Sequence, residues 1–146
     1  MSISKQYLDK QAEPVSFDVQ ALGRALEESC PEAVFGYLLG SSIYGTVKPH
    51  SDVDIALFLS GSAGLDFYEK VYDTCRLFLG DIRVDLGILN KAEPVYQFES
   101  LKGKLLFCRD QETWLKFYSV TCREYEHQLV HYEKQRRYRL EAKGAV

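Results

Sequence analysis

Residues 38–59 read LLGSSIYGTVKPHSDVDIALFL, and this stretch decides the fold. An apolar run ends at Gly40 and Ser41, and after ten further residues Asp52 and Asp54, separated by one valine, open a second apolar run. Because side chains alternate between the two faces of a strand, Asp52 and Asp54 are predicted to point the same way. Two adjacent carboxylates repel each other unless a cation lies between them. The stretch therefore predicts a metal site at the edge of a sheet.

The residue types in this stretch favour Mg²⁺ and a phosphate ligand. Carboxylate oxygens on a rigid strand suit Mg²⁺, which takes one or two protein carboxylates and completes its shell with water and substrate phosphates. The turn at Gly40 and Ser41 supplies free backbone N–H groups and a hydroxyl, which are phosphate ligands. One helical turn is expected at 41–44, and Gly45 lets the chain bend away from it. Together these features predict a nucleotide-binding site.

The composition is typical of a globular protein with a single domain, here residues 1–146. Hydrophobic residues make up 46% of the chain and charged residues 27%, and the length suits one core. The net charge of −3 disfavours direct nucleic-acid binding, which needs basic patches. No apolar stretch approaches the roughly 18 residues of a membrane helix, and the polar residues 1–14 lead us to expect no secretory signal. The four cysteines lack zinc-like spacing, so we expect reduced thiols in a cytoplasmic protein.

The hydrophobic periodicity and the turn residues predict four strands and four helices. Strands are expected at 33–39, 52–59, 82–89 and 104–108. Helices are expected at about 17–30, 65–79, 95–101 and 110–140, with Ser16 capping the first, Pro31 ending it and Asp110 capping the last. Residues 1–14 are expected to be partly flexible. This order predicts an α/β (α+β) fold, in which a small mixed β-sheet of about four strands is backed by helices on one side.

The motifs resemble those of a known family, the minimal nucleotidyltransferases of the DNA polymerase beta superfamily. The family signature is Gly-Ser, ten residues, then Asp-x-Asp, and residues 40–54 match it. Members carry a third acid on a later strand, in a pattern like Val-Asp-Leu, which makes Asp85 the candidate here. The resemblance covers most of the chain. It implies the nucleotidyltransferase fold, closed by a long C-terminal helix.

This resemblance also implies a reaction and roles for the matching residues. The reaction is nucleotidyl transfer, in which a hydroxyl attacks the α-phosphorus of a nucleotide such as ATP and pyrophosphate leaves. Two Mg²⁺ ions are expected, held by Asp52 and Asp54. Asp85 is expected to complete the metal site on the nucleophile side and to take the hydroxyl proton. Gly40 and Ser41 are expected to contact the β- and γ-phosphates.

Arg83 has two interpretations of equal weight. By strand alternation it shares a face with Asp85, where it would bind the triphosphate or the leaving group. Alternatively, it forms a structural ion pair with Asp81 or Asp85. Many family members carry an arginine in the loop after Gly-Ser, whereas this chain has none at 42–44.

The resemblance implies a biological role as well. Stand-alone members of this kind are similar to antitoxins that are encoded beside HEPN-domain ribonuclease toxins. These antitoxins add AMP from ATP to a toxin tyrosine. This implies a protein adenylyltransferase in a hetero-oligomer with a cognate HEPN toxin, and no membrane partner. The runner-up is transfer to a small molecule, such as an aminoglycoside, although those enzymes usually add a substrate-binding domain. The third hypothesis is a non-catalytic module that neutralises the toxin by contact alone.

Overall fold

A four-stranded sheet forms the centre of the computed structural model, which describes residues 13–144. The strands are β1 (Val15–Ser16), β2 (Ala33–Leu39), β3 (Thr46–Val47), β4 (Val53–Leu59), β5 (Val84–Ile88) and β6 (Lys104–Cys108). The helices are α1 (Val19–Ser29), α2 (Leu65–Leu79), α3 (Pro94–Ser100) and α4 (Gln111–Ala142), and a 3₁₀ helix spans Gly40–Tyr44. The central sheet has the order β5-β4-β2-β6, and β1 pairs with β3. The predicted mixed fold with a long C-terminal helix is confirmed.

The pairing of the strands places the predicted site at one edge of the sheet. β4 runs antiparallel to β2 and parallel to β5. Asp54 therefore lies opposite Leu39, the last residue of β2, and also opposite Asp85 on β5. The 3₁₀ helix begins directly after Leu39. This register brings the Gly-Ser turn and two of the predicted acids to neighbouring strands.

Helices cover both faces of the sheet, so the prediction of helices on one side was wrong. On one face, α1 and α2 pack against the alternate residues of β4 that include Ile55 and Leu57. On the other face, Phe117 of α4 packs with Phe35 and Ala56. The amphipathic pattern of α4 predicts a buried stripe, but it does not say which face of the sheet that stripe covers.

Most element boundaries follow the sequence, and the exceptions occur at strand ends and at one helix start. Ser16 does not cap α1, because it lies in β1 opposite Thr46. The cap is Asp18, whose carboxylate accepts a hydrogen bond of 3.0 Å from the Ala21 N–H. The strand predicted at 82–89 is shorter, at Val84–Ile88. The flexibility predicted for the N-terminus concerns residues 1–14, of which 1–12 lie outside the described part of the chain.

Helix α4 extends far beyond the sheet. It has 32 residues, which corresponds to about 48 Å. Its inner half contributes the buried residues Phe117 and Thr121, and the ring of Tyr125 stacks on Phe98 with 3.9 Å between centroids. Every residue of the outer half, 126–142, is exposed. No helix within residues 13–144 is both long enough and apolar enough to cross a membrane.

Candidate active site

Asp54 and Asp85 form the centre of the candidate active site. They are register partners on the parallel strands β4 and β5, and neighbouring strands lie about 4.8 Å apart. The pKa of the Asp54 carboxyl is raised, first by burial and then by the negative charges of Asp85 and Asp52. Both acids line one open cavity of about 420 Å³, together with Leu39, Leu86, Gly87 and Tyr96. The structure therefore brings these two predicted residues together.

Asp52 lies just outside β4, one residue before the strand begins. It lines a neighbouring cavity of about 640 Å³ together with His50, Ser51 and Arg83. Its charge still contributes to the raised pKa of Asp54. The start of β4 is fixed against the chain leading into β5, because the Val53 N–H donates a hydrogen bond of 2.9 Å to the Arg83 carbonyl. Asp52 thus lines a different cavity from Asp54 and Asp85, although its charge acts on Asp54.

The Gly-Ser turn has an open and conformationally specific backbone. Gly40 has φ of +74°, which favours glycine, and a Cβ built at Gly40 would meet no atom within 4 Å. Ser41 is exposed, whereas Ser42 is buried and donates its hydroxyl to the Leu39 carbonyl at 3.1 Å. Gly45 ends the 3₁₀ helix with φ of 85°, so the predicted change of chain direction is confirmed. Free space at Gly40 and an exposed hydroxyl at Ser41 suit a phosphate ligand.

Arg83 forms an ion pair with Asp85. The distance between Arg83 Nε and Asp85 Oδ1 is 3.3 Å, and the Arg83 side chain is 75% exposed. One of the two predicted interactions of Arg83 is therefore present. The strand register places Asp85 beside Asp54, and the exposed ion pair adds little to stability.

Tyr96 belongs to the site and was missed by the sequence analysis. A Cβ built at Gly87 would collide with the Tyr96 hydroxyl and would lie 2.8 Å from the Tyr96 Cζ atom. The pKa of this phenol is raised by burial first and then by the charges of Asp54 and Asp85. A glycine inside a strand often marks a close approach, so Gly87, two residues after Asp85, was the available signal.

A family comparison supports the same assignment. The profile of the family described as "Polymerase beta, Nucleotidyltransferase" matches residues 22–112. This range includes the Gly-Ser turn and all three predicted acids. The chain belongs to this family. A search of curated proteins gave no match.

Solved structures share the fold of this nucleotidyltransferase. A chain of a toxin–antitoxin complex with AMP-PNP has a TM-score of 0.62 and is 25% identical, covering 78% of this chain and 91% of its own length. A chain of the toxin–antitoxin complex MntA–HepT has a TM-score of 0.58 and 23% identity, with coverage of 77% and 88%. A chain from a complex of a tri-AMPylated Shewanella oneidensis HEPN toxin with an MNT antitoxin has a TM-score of 0.58 and 23% identity, with coverage of 78% and 92%.

The donor set of this nucleotidyltransferase fits Mg²⁺. Asp54 and Asp85 present hard oxygen donors from neighbouring strands, and their mutual repulsion is what a divalent cation relieves. Within residues 13–144, no three His, Cys, Asp or Glu side chains form a ready-made metal cluster. Mg²⁺ takes only one or two protein carboxylates and fills its shell with water and phosphate oxygens. The acid pair is therefore sufficient for such an ion.

Proposed function

We propose that this nucleotidyltransferase transfers AMP from ATP to a protein hydroxyl, a tyrosine of a cognate HEPN ribonuclease toxin, and so acts as an antitoxin. The observation that carries this proposal is the placement of Asp54 and Asp85 side by side, next to the open Gly40 turn. The related complex with AMP-PNP supports ATP as the substrate. That structure is a toxin–antitoxin complex, which supports a toxin as the acceptor.

We assign a separate role in the transfer reaction to each of the candidate site residues. Asp52 and Asp54 would hold Mg²⁺, and Asp85 would complete the metal site on the side of the attacking oxygen. When bound, Mg²⁺ would neutralise phosphate charge and favour ionisation of the attacking hydroxyl. Asp85 takes the proton of the acceptor hydroxyl, the oxygen bonds to the α-phosphorus, and the bond to pyrophosphate breaks. Gly40 and Ser41 hold the β- and γ-phosphates through the free backbone and hydroxyl groups of the turn.

The direct test combines the protein with the product of the adjacent gene, Mg²⁺ and ATP labelled at the α-phosphate. We expect label on a tyrosine of that partner, located by mass spectrometry. The double variant Asp52→Ala/Asp54→Ala is expected to transfer no label, because it removes two metal ligands. It should also fail to relieve toxicity in cells, while wild type restores growth.

The alternatives give different outcomes in the same experiments. Label on an aminoglycoside and none on the partner would identify a small-molecule transferase. Equal relief of toxicity by wild type and by Asp52→Ala/Asp54→Ala would identify a module that acts by contact alone. Either result contradicts the proposed function.

Arg83 is proposed to bind the nucleotide once its ion pair with Asp85 is released. A guanidinium binds phosphate through paired N–H donors, so Arg83→Ala is expected to raise the KM for ATP about fivefold. Arg83→Lys keeps the charge but loses the paired N–H donors, so its KM for ATP should lie between those of wild type and Arg83→Ala. An unchanged KM for ATP in Arg83→Ala would leave Arg83 with the structural ion pair as its only role. Steady-state kinetics at saturating acceptor measures this.

A further inference from the structure

Tyr96 occupies a fixed position on the β5 side of the acid pair. Its phenol lies over Gly87, so it takes the space that a side chain two residues after Asp85 would fill on the same face of β5. The Tyr96 side chain also lines the cavity that contains Asp54 and Asp85. Tyr96 is 37% exposed. Its aromatic ring is therefore a wall of the site that a ligand can reach.

Helix α3 holds Tyr96 in place through contacts on each side of it. The side-chain amide of Gln97 donates a hydrogen bond of 2.7 Å to the carbonyl of Leu89, which directly follows β5. The buried hydroxyl of Ser100 donates to the Tyr96 carbonyl at 2.8 Å. The ring of Phe98 stacks on Tyr125 of α4. These contacts fix the short helix against β5 and α4, so the position of the Tyr96 ring is set before any ligand arrives.

The order of the strands separates the two sides of the reaction. The Gly40 turn follows β2, the acids lie on β4 and β5, and Tyr96 covers Gly87 on β5. In phosphoryl-type transfer the attacking and leaving oxygens are roughly in line across the phosphorus. With the β- and γ-phosphates at Gly40, the attacking hydroxyl approaches from the β5 side. It must come within hydrogen-bond reach of Asp85, which places its side chain next to Tyr96.

We infer that Tyr96 is an acceptor-positioning residue, whose ring packs against the side chain that receives AMP. This inference rests on the proposed function and extends it to the choice of acceptor. An aromatic wall favours an aromatic acceptor, because two rings pack in offset or edge-to-face contact. Tyr96 thus contributes to the preference for a tyrosine hydroxyl over the smaller hydroxyls of serine and threonine.

Steady-state kinetics with the partner as acceptor tests this inference. Tyr96→Ala is expected to raise the KM for the partner about fivefold, with the KM for ATP within about twofold of wild type. Tyr96→Phe keeps the ring and should resemble wild type. The control is Tyr72→Ala, which removes an equally exposed tyrosine (38%) from α2 and should change neither constant. A rise in the KM for ATP alone, or an equal defect in Tyr96→Phe, would overturn the inference.

A second variant tests the geometry without removing the ring. The added methyl group of Gly87→Ala collides with the Tyr96 hydroxyl, so it should displace the ring and raise the KM for the partner as Tyr96→Ala does. In the Tyr96→Ala background that collision is gone, and Gly87→Ala should add no further defect. Such non-additivity reports direct coupling between the two positions. Additive defects would contradict the inference.

The two proposals fail in distinguishable ways. If wild type labels no residue of the partner, the proposed function fails and the inference falls with it. If wild type labels the partner and Tyr96→Ala leaves the KM for the partner unchanged, the inference alone fails. Melting temperatures of all variants, compared with wild type, show whether a kinetic change reflects a loss of folding.

Discussion

Replacing Asp54 with asparagine is expected to abolish AMP transfer and, at the same time, to stabilise the fold at neutral pH. The variant loses a proposed metal ligand in the centre of the candidate site, so the rate of label transfer should fall by at least about a thousandfold. It also removes a partly buried charge that Asp85 and Asp52 repel. The free energy of unfolding should therefore rise. Transfer assays and thermal unfolding at pH 7 measure the two effects.

The pH dependence of stability follows from the raised pKa of Asp54. The folded protein holds the Asp54 proton more tightly than the unfolded chain, so Asp54 lowers the stability of wild type as pH rises from its unfolded pKa through its raised folded pKa. The stability of Asp54→Asn does not fall in this way, because asparagine does not ionise. The stability advantage of the variant should be greatest above the folded pKa and should disappear in acid.

Magnesium and a matched control make this prediction specific. The proposed function requires Mg²⁺ to bind the folded protein at Asp54, so Mg²⁺ should raise the melting temperature of wild type and not that of Asp54→Asn. The control Asp73→Asn changes an exposed carboxylate on α2. Among the described residues, this carboxylate pairs only with Arg76, at 3.6 Å. The control variant should retain both activity and the response to Mg²⁺. An Asp54→Asn protein that transfers AMP, or that melts below wild type at pH 7 in the absence of Mg²⁺, would contradict the assignment of Asp54.

The second large effect is expected at Phe35. This side chain is fully buried, its ring stacks on Phe58 with 5.0 Å between centroids, and Phe117 of α4 lies 5.2 Å away. Phe35→Ala should lower the free energy of unfolding by about 3–5 kcal/mol, through lost burial and the cavity left behind. Urea denaturation followed by circular dichroism measures this change.

The control for Phe35 is a deletion at the surface. Leu77 on α2 is 83% exposed, so Leu77→Ala should change stability by less than about 0.5 kcal/mol. If the rings of Phe35, Phe58 and Phe117 anchor α4 to the sheet, Phe35→Ala must lose much more stability than Leu77→Ala. A loss of similar size in both variants would contradict that role.

The sequence predicted the elements whose ends carry local signals. The strand at 33–39 lies between Pro31 and Gly40, and the helix at 65–79 ends at Gly80, which has φ of 60°. Proline and glycine act on their own backbone, so these boundaries do not depend on distant contacts. The spacing of the Gly-Ser turn and the acids also predicted neighbouring positions, and the strand register places Asp54 opposite Leu39, which precedes the turn, and opposite Asp85.

The features that sequence reasoning missed depend on contacts between distant residues. Ser16 pairs with Thr46 in β1 and β3, and this long-range pairing moves the cap of α1 to Asp18. The contact between Tyr96 and Gly87 requires α3 to fold back onto β5. Neither contact has a periodic signature, and Gly87 marks a close approach within its strand without showing which side chain makes it. The roles assigned to the individual site residues remain predictions for the experiments above.

The two halves of α4 are stabilised in different ways. Near the sheet, ring contacts of Phe117 and Tyr125 hold the helix in place. Residues 126–142 are all exposed and depend mainly on intrinsic helix propensity, which is marginal for a segment of this length. Fraying there would expose no buried residue, because every residue of 126–142 is already exposed. The sequence of this segment, including its basic residues concentrated at 134–143, can therefore change without disturbing the buried contacts of Phe117 and Thr121.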